Sequence, residues 1–181
     1  MFDKDVRIQG IYATHLKSLA RDMVNSKKPY LFERYIDVYM NAAIIGLLEG
    51  KPEMHPDFST TKDTAQILAS AFIKERYKCE FLYRLVMLLD DSTGLTNEQK
   101  IDRAFKDDGN VDKCPEKMVA NEKLFLGYVL AGIEILYEKI GEGATSVDDL
   151  CLNAYAMMEN YQDKWNNLTP EECLKKALRS N

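Results

Sequence analysis

The amino-acid sequence predicts an all-α fold: one compact orthogonal bundle of about seven helices, with residues 1–181 as a single helical domain. Three observations carry that reading. Apolar residues recur at spacings of three and four in most segments, as on one face of a helix. Capping signals stand where those segments begin. Gly and Pro are scarce, 9 and 5 in 181 residues, and no stretch alternates convincingly as a half-buried strand does.

The elements follow in order. Ile8, Ile11, Tyr12, His15, Leu16, Leu19 and Met23 share one helical face, and Ser26-Lys27-Lys28-Pro29 ends it. His15 falls on that apolar face, the place of a core or boundary residue. The second helix is expected from Leu31 to Leu48. Glu33, Asp37 and Asn41 draw a thin polar line along it, and the rest is apolar enough to demand cover on most sides. Glu49-Gly50-Lys51-Pro52 supplies its stop. Thr60 and Asp63 resemble a capping box, and a long helical pattern runs from there to about Leu89, with a break near Lys74–Lys78. Asp90-Asp91-Ser92-Thr93-Gly94 reads as a loop. Thr96 and Gln99 form a capping-box pair that starts a short helix through Phe105, and Asp107-Asp108-Gly109-Asn110 turns. Pro115 suits the first position of the next helix, which Gly141 and Gly143 end. Ser146 and Asp149 cap another to about Tyr161. Thr169, Pro170 and Glu172 open the last, with Leu168 and Cys173 at the staple positions. The helices around Leu31–Leu48 and Pro115–Ile140 are the expected central pair.

Composition narrows the function. A net charge of −5 argues against whole-surface attraction to nucleic acid or anionic lipid. The apolar run Leu124–Tyr137 is fourteen residues long and contains Glu134, whereas a membrane span needs about 20 apolar residues. No membrane association is expected. The N-terminus MFDKDVRIQG lacks the apolar run of a signal peptide. Cys79, Cys114, Cys151 and Cys173 contain no CxxC pair, so free thiols in a reducing cytoplasm are expected rather than structural zinc.

The catalytic signatures fail one by one. A calcium loop begun at Asp107 places Asp112 at the glycine position and Met118 at the bidentate position. Gly141-Glu142-Gly143 follows a helix and lacks the GK[ST] of a phosphate loop. Neither histidine has a Glu three residues before it, so no di-iron Glu-x-x-His pair exists. No GxSxG or Cys/His signature is present. No catalytic residue, cofactor or metal is therefore expected.

Two groups remain as candidates. Lys74, Arg76, Lys78 and Arg84, with Tyr77 among them, have the composition of a phosphate or stacked-base contact, against the plainer reading of a solvated helix face. Lys175, Lys176 and Arg179 suit the negative end of the last helix. On the Pro115–Ile140 helix, Glu116, Lys123, Gly127, Glu134, Glu138 and Gly141 lie within about 40° of one line. Lys123, Glu134 and Glu138 on this seam are candidate groove residues. Gly127 and Ala131, four apart, permit close approach of another helix.

Phe32, Asp37, Ala42, Ala43 and Gly46 in LFERYIDVYMNAAIIGLLEG, and Tyr128, Gly132, Ile133 and Glu134 in LFLGYVLAGIEILYEKI, resemble the patterns of small helical accessory proteins encoded beside bacterial DNA phosphorothioation (Dnd) and related anti-phage defence systems. The resemblance covers about a fifth of the chain. It implies a defence-locus accessory protein without known chemistry. The basic character of a DNA-contacting member is absent. The leading expectation is a non-enzymatic helical subunit or adaptor of a bacterial multiprotein system, with a protein partner or homo-oligomer. Nucleic-acid binding through the basic group is the first alternative. A small-molecule enzyme using Glu134 or Asp37 in a helical groove is the second.

Overall fold

The computed structural model describes residues 2–21, 28–49, 51–107 and 115–166. The expected final helix from Thr169, its Lys175, Lys176 and Arg179, and most of the loops at Ser26 and Asp108 lie outside them, as do Cys114 and Cys173. The described residues form strand β1 (Val6–Gln9), helix α1 (Ile11–Leu19), α2 (Tyr35–Glu49), strand β2 (Thr64–Ile67), α3 (Ala69–Lys74), α4 (Arg76–Leu89), α5 (Asn97–Phe105) and α6 (Pro115–Leu136). A π-helical turn, Tyr137–Gly141, and α7 (Val147–Asn166) complete them. The molecule is predominantly helical and compact, as the apolar spacing predicts.

The expected central pair is central. α2 and α6 pack more extensively than any other pair, because both carry small residues where they cross. A Cβ on Gly46 would stand 2.0 Å from the Tyr128 carbonyl oxygen, and one on Gly132 would stand 1.8 Å from that of Ala42. The backbones therefore touch. Gly132, and not the expected Ala131, makes this approach. Gly127 instead admits the 52–54 segment: Glu53 N–H donates to its carbonyl at 2.9 Å. Around the pair lies an aromatic cluster in which Phe72 sits 5.2 Å from Tyr39 and 5.7 Å from Phe2 between ring centroids.

One element departs from the expected all-helical pattern. β1 and β2 pair antiparallel, with Val6 opposite Ile67 and Ile8 opposite Ala65. Ile8 belongs to this strand rather than to the first helix. Gly10, at φ 66°, separates the two, and its N–H donates to Asp63 at 3.0 Å. The helix expected to start at Thr60 and Asp63 is replaced by β2 for the same reason. The Asp63 carboxylate accepts from Thr14 Oγ1 at 2.8 Å and Lys17 Nζ at 3.1 Å, tying β2 to α1 instead of capping a helix. Ile8, Ala65 and Ile67 are buried, so tertiary burial overrides a helical local pattern.

Elsewhere the local signals locate the ends well. Helix α2 starts at Tyr35, four residues later than expected, because Leu31 and Phe32 N–H groups both donate to the Leu19 carbonyl at 3.1 Å. The expected break near Lys74–Lys78 falls at Glu75. Thr96 and Gln99 make a reciprocal capping box, with Gln99 N–H to Thr96 Oγ1 at 3.3 Å and Thr96 N–H to Gln99 Oε1 at 3.0 Å. Ser146 and Asp149 do the same for α7, at 3.0 and 3.1 Å. Pro115 is the first residue of α6.

At the C-terminal end of α4 sits a buried polar knot. The fully buried Asp90 carboxylate accepts from Ser92 and Thr93 hydroxyls at 2.5 Å each, from Tyr128 at 2.7 Å and from Arg103 at 3.2 Å. Arg103 also donates to the Met87 carbonyl at 2.5 Å. Lys100 pairs with Asp91 beside it. Burial alone would raise the Asp90 carboxyl, but these donors outweigh it and hold the group at about 2. The run that reads as a plain loop thus joins α4, α5 and α6. Among the described residues no helix is long and apolar enough to cross a membrane.

Candidate functional site

Helix α4 is apolar on two sides. Cys79, Leu82, Tyr83, Val86 and Met87 are buried inward. Tyr77 and Phe81, four residues apart, point out and are 88% and 64% exposed. On α2, the face turned away from α6 carries Met40, Asn41 and Ile44. Between the helices these residues and Lys78 line an open groove of about 410 Å³. Cover for α2 is therefore less complete than its composition suggests, and Ile44 and Leu48 are exposed. Scattered exposed apolar residues are ordinary, but a contiguous groove with two outward aromatic rings is the mark of a contact surface.

Of the basic group, Lys78 lines this groove. Lys74 ends α3 and is exposed. Lys78 donates to Glu75 at 2.7 Å, and Arg34 donates to the other oxygen of Glu75 at 2.9 Å. Hydrogen bonds from Lys78 and Arg34 hold the Glu75 carboxyl below its usual range. Arg76 pairs with Glu80 at 2.7 Å. The Arg84 guanidinium lies over the Phe105 ring, 5.7 Å from its centroid, directed toward α5. The four cations are thus split between two ion pairs, a ring face and the end of α3. Asp37, the alternative acid, pairs with Arg34 at 2.6 and 2.9 Å on the surface.

The seam of α6 is a second feature. Glu134 is half-buried, and its carboxyl is raised by burial first and then by Glu138 and Glu53. The Tyr12 hydroxyl is pushed up to about 12 by burial, reinforced by Glu53, Glu134 and Asp57. Glu134 and Glu138 therefore share a neighbourhood with Tyr12 and Glu53, brought in by α1 and by the segment that lies on Gly127. Lys123 lies eleven positions before Glu134 on the helix, about 16 Å along it. Among the described residues no group of three or more His, Cys, Asp or Glu is placed to hold a metal ion.

His15 closes the seam near the π-helical turn, its ring stacked on Tyr137 at 3.9 Å and 7°. Burial lowers its pKa, against the attraction of Glu138 and Glu142. A histidine held neutral by the fold contributes stability present above its unfolded pKa, near 6.5, and lost as pH falls from there through the lowered folded value. Urea melts at pH 7, 6 and 5 should therefore show a smaller loss for His15→Gln than for the unaltered chain. Equal losses would remove His15 from this role.

Sequence reasoning places the basic residues and the seam but not the groove. The signal for it was present: Tyr77, Phe81 and Leu85 recur at spacings of four, opposite an equally apolar inner face. In comparisons with known proteins, no family model, curated protein or solved structure matches this chain.

Proposed function

We propose that this chain is a non-enzymatic helical subunit or adaptor of a bacterial multiprotein system, of the anti-phage defence kind that Leu31–Gly50 and Leu124–Ile140 resemble, and that it enters its assembly through the α2–α4 groove. The single observation that carries the reading is the pair of outward rings, Tyr77 and Phe81, over an apolar groove. Aromatic anchors beside a pocket are the usual centre of a protein–protein contact. The ion pairs of Arg76 and Lys78 with Glu80 and Glu75 support reading the basic segment as the rim of that contact rather than as a phosphate site.

Size-exclusion of extract from cells carrying a tagged chain at native level tests this. The unaltered chain should run well above the 20.8 kDa of one copy. Phe81→Asp should return it to monomer size while leaving the melting temperature nearly unchanged, since exposed substitutions shift stability by about 0.5 kcal/mol or less. An unaltered chain that runs as a monomer at micromolar concentration sinks the proposal.

A further inference from the structure

Helix α7 carries the counterpart of the α4 face. Its inner side is used: Leu150 is buried, Met157 packs on the core, and Asn153 donates to the Ile140 carbonyl at 3.1 Å. Its outer side presents Val147, Cys151, Tyr155 and Met158, all exposed, at spacings of four, four and three. Tyr77, Phe81 and Leu85 on α4 recur at the same spacing of four. In each case the row forms one stripe on the helix surface.

The charges beside the two rows are opposite. Asp148, Glu159 and Asp163 fall within a band of about 60° alongside the α7 row. Lys78 lines the groove with Tyr77 and Phe81, and Lys74 is exposed at the end of α3, just before α4 begins. In a chain of net charge −5, two copies repel in general, and Lys74–Arg84 is a segment where four cations outnumber two anions. An acidic, apolar-striped helix is what that segment attracts, and α7 is one.

We propose, resting on the docking role of the α2–α4 groove, that its occupant is α7 of a second copy of this chain. The Val147–Met158 row seats against Tyr77 and Phe81, and the acidic band faces Lys74 and Lys78. Reciprocal exchange places the contact twice in a closed two-fold dimer, each copy giving α7 and receiving its partner's. Equal spacing on the two helices lets the ridges of one fill the grooves of the other at the ordinary interaxial distance of about 8–10 Å.

Sedimentation of the purified chain between about 5 and 200 µM in about 50 mM salt tests this. The expected result is a dimer that weakens as salt rises. Lys74→Glu/Lys78→Glu sets acid against acid, and Asp148→Lys/Glu159→Lys sets base against base, so each alone should weaken dimerisation at least about tenfold. An equimolar mixture of the two restores attraction at both contacts and should recover the dimer. All the substituted side chains lie at the surface, and circular dichroism melts confirm that each variant is folded. Three results overturn the proposal: a purified chain that stays monomeric, a dimer indifferent to both variants, or a mixture that fails to recover. If the purified chain is a monomer while the extract still holds a complex that Phe81→Asp dissolves, the docking role stands and the second copy falls. If both are monomeric, both fall.

Discussion

Asp90→Ala is expected to destabilise the fold by about 3–5 kcal/mol, because it leaves a buried guanidinium without its counter-ion. Arg103 is 5% exposed and its carboxylate partner is fully buried. After truncation, Arg103 retains the Met87 carbonyl and the Thr93 hydroxyl, neither of which carries a negative charge. Tyr128 loses the acceptor it meets at 2.7 Å. Tyr128→Phe removes only one hydrogen bond to the charged group and should cost about 1.5–3 kcal/mol. Urea denaturation measures both, and a loss below about 1 kcal/mol for Asp90→Ala would show that the knot is not a buried ion pair in solution. The pH dependence has a definite sign. A carboxyl held at about 2 contributes stability that is present above its unfolded value near 3.9 and lost as pH falls through about 2. Asp90→Asn should therefore flatten the stability curve across that acid window.

Gly132→Val is expected to cost more than about 3 kcal/mol, at the upper end of overpacking effects. Its Cβ would fall 1.8 Å from the Ala42 carbonyl oxygen, and neither atom belongs to a side chain that can turn away. The two helices would have to separate by about 1.5 Å, opening the close packing between them. Gly132→Ala is the sharper test. Alanine favours an isolated helix by about 1 kcal/mol over glycine, so propensity and packing predict opposite signs. Thermal melts should show destabilisation. A more stable Gly132→Ala protein would mean that α2 and α6 do not cross at Gly132.

Much of this fold is legible in the chain. The capping pairs Thr96–Gln99 and Ser146–Asp149 locate two helix starts because a cap is a local contract between residues three apart. Pro115 locates the start of the longest described helix for the same kind of reason, whereas α6 ends at Leu136 and a π-helical turn carries the chain to Gly141. The strands were not legible. VRIQ and TAQI are four residues each, and the partner that makes each one a strand lies nearly sixty residues away. Asp63 illustrates the failure: its position resembles a cap, yet Thr14 and Lys17 claim it across the fold.

The candidate site divides in the same way. Glu134 stands in line with Lys123 and Glu138 on the wheel of α6, which needs only the helix. Its real neighbours, Glu53 and Tyr12, come from elsewhere in the chain. Glu75 and Glu80 pair with Lys78 and Arg76, an arrangement that composition does not specify. The groove escaped because periodicity reports that a face is apolar and not whether another face covers it. Both sides of α4 carry the same pattern, and one is buried against Phe125 and its neighbours while the other meets solvent.

The sequence by itself determined the helical class, most helix boundaries and the pairing of α2 with α6, because hydrophobic spacing, caps and small residues act within a few turns of backbone. Only the tertiary structure decided that Asp90 is the centre of a knot, that residues 6–9 and 64–67 form a sheet, and that Tyr77 and Phe81 stand uncovered. Burial is a property of two surfaces meeting, and a single segment specifies only one of them.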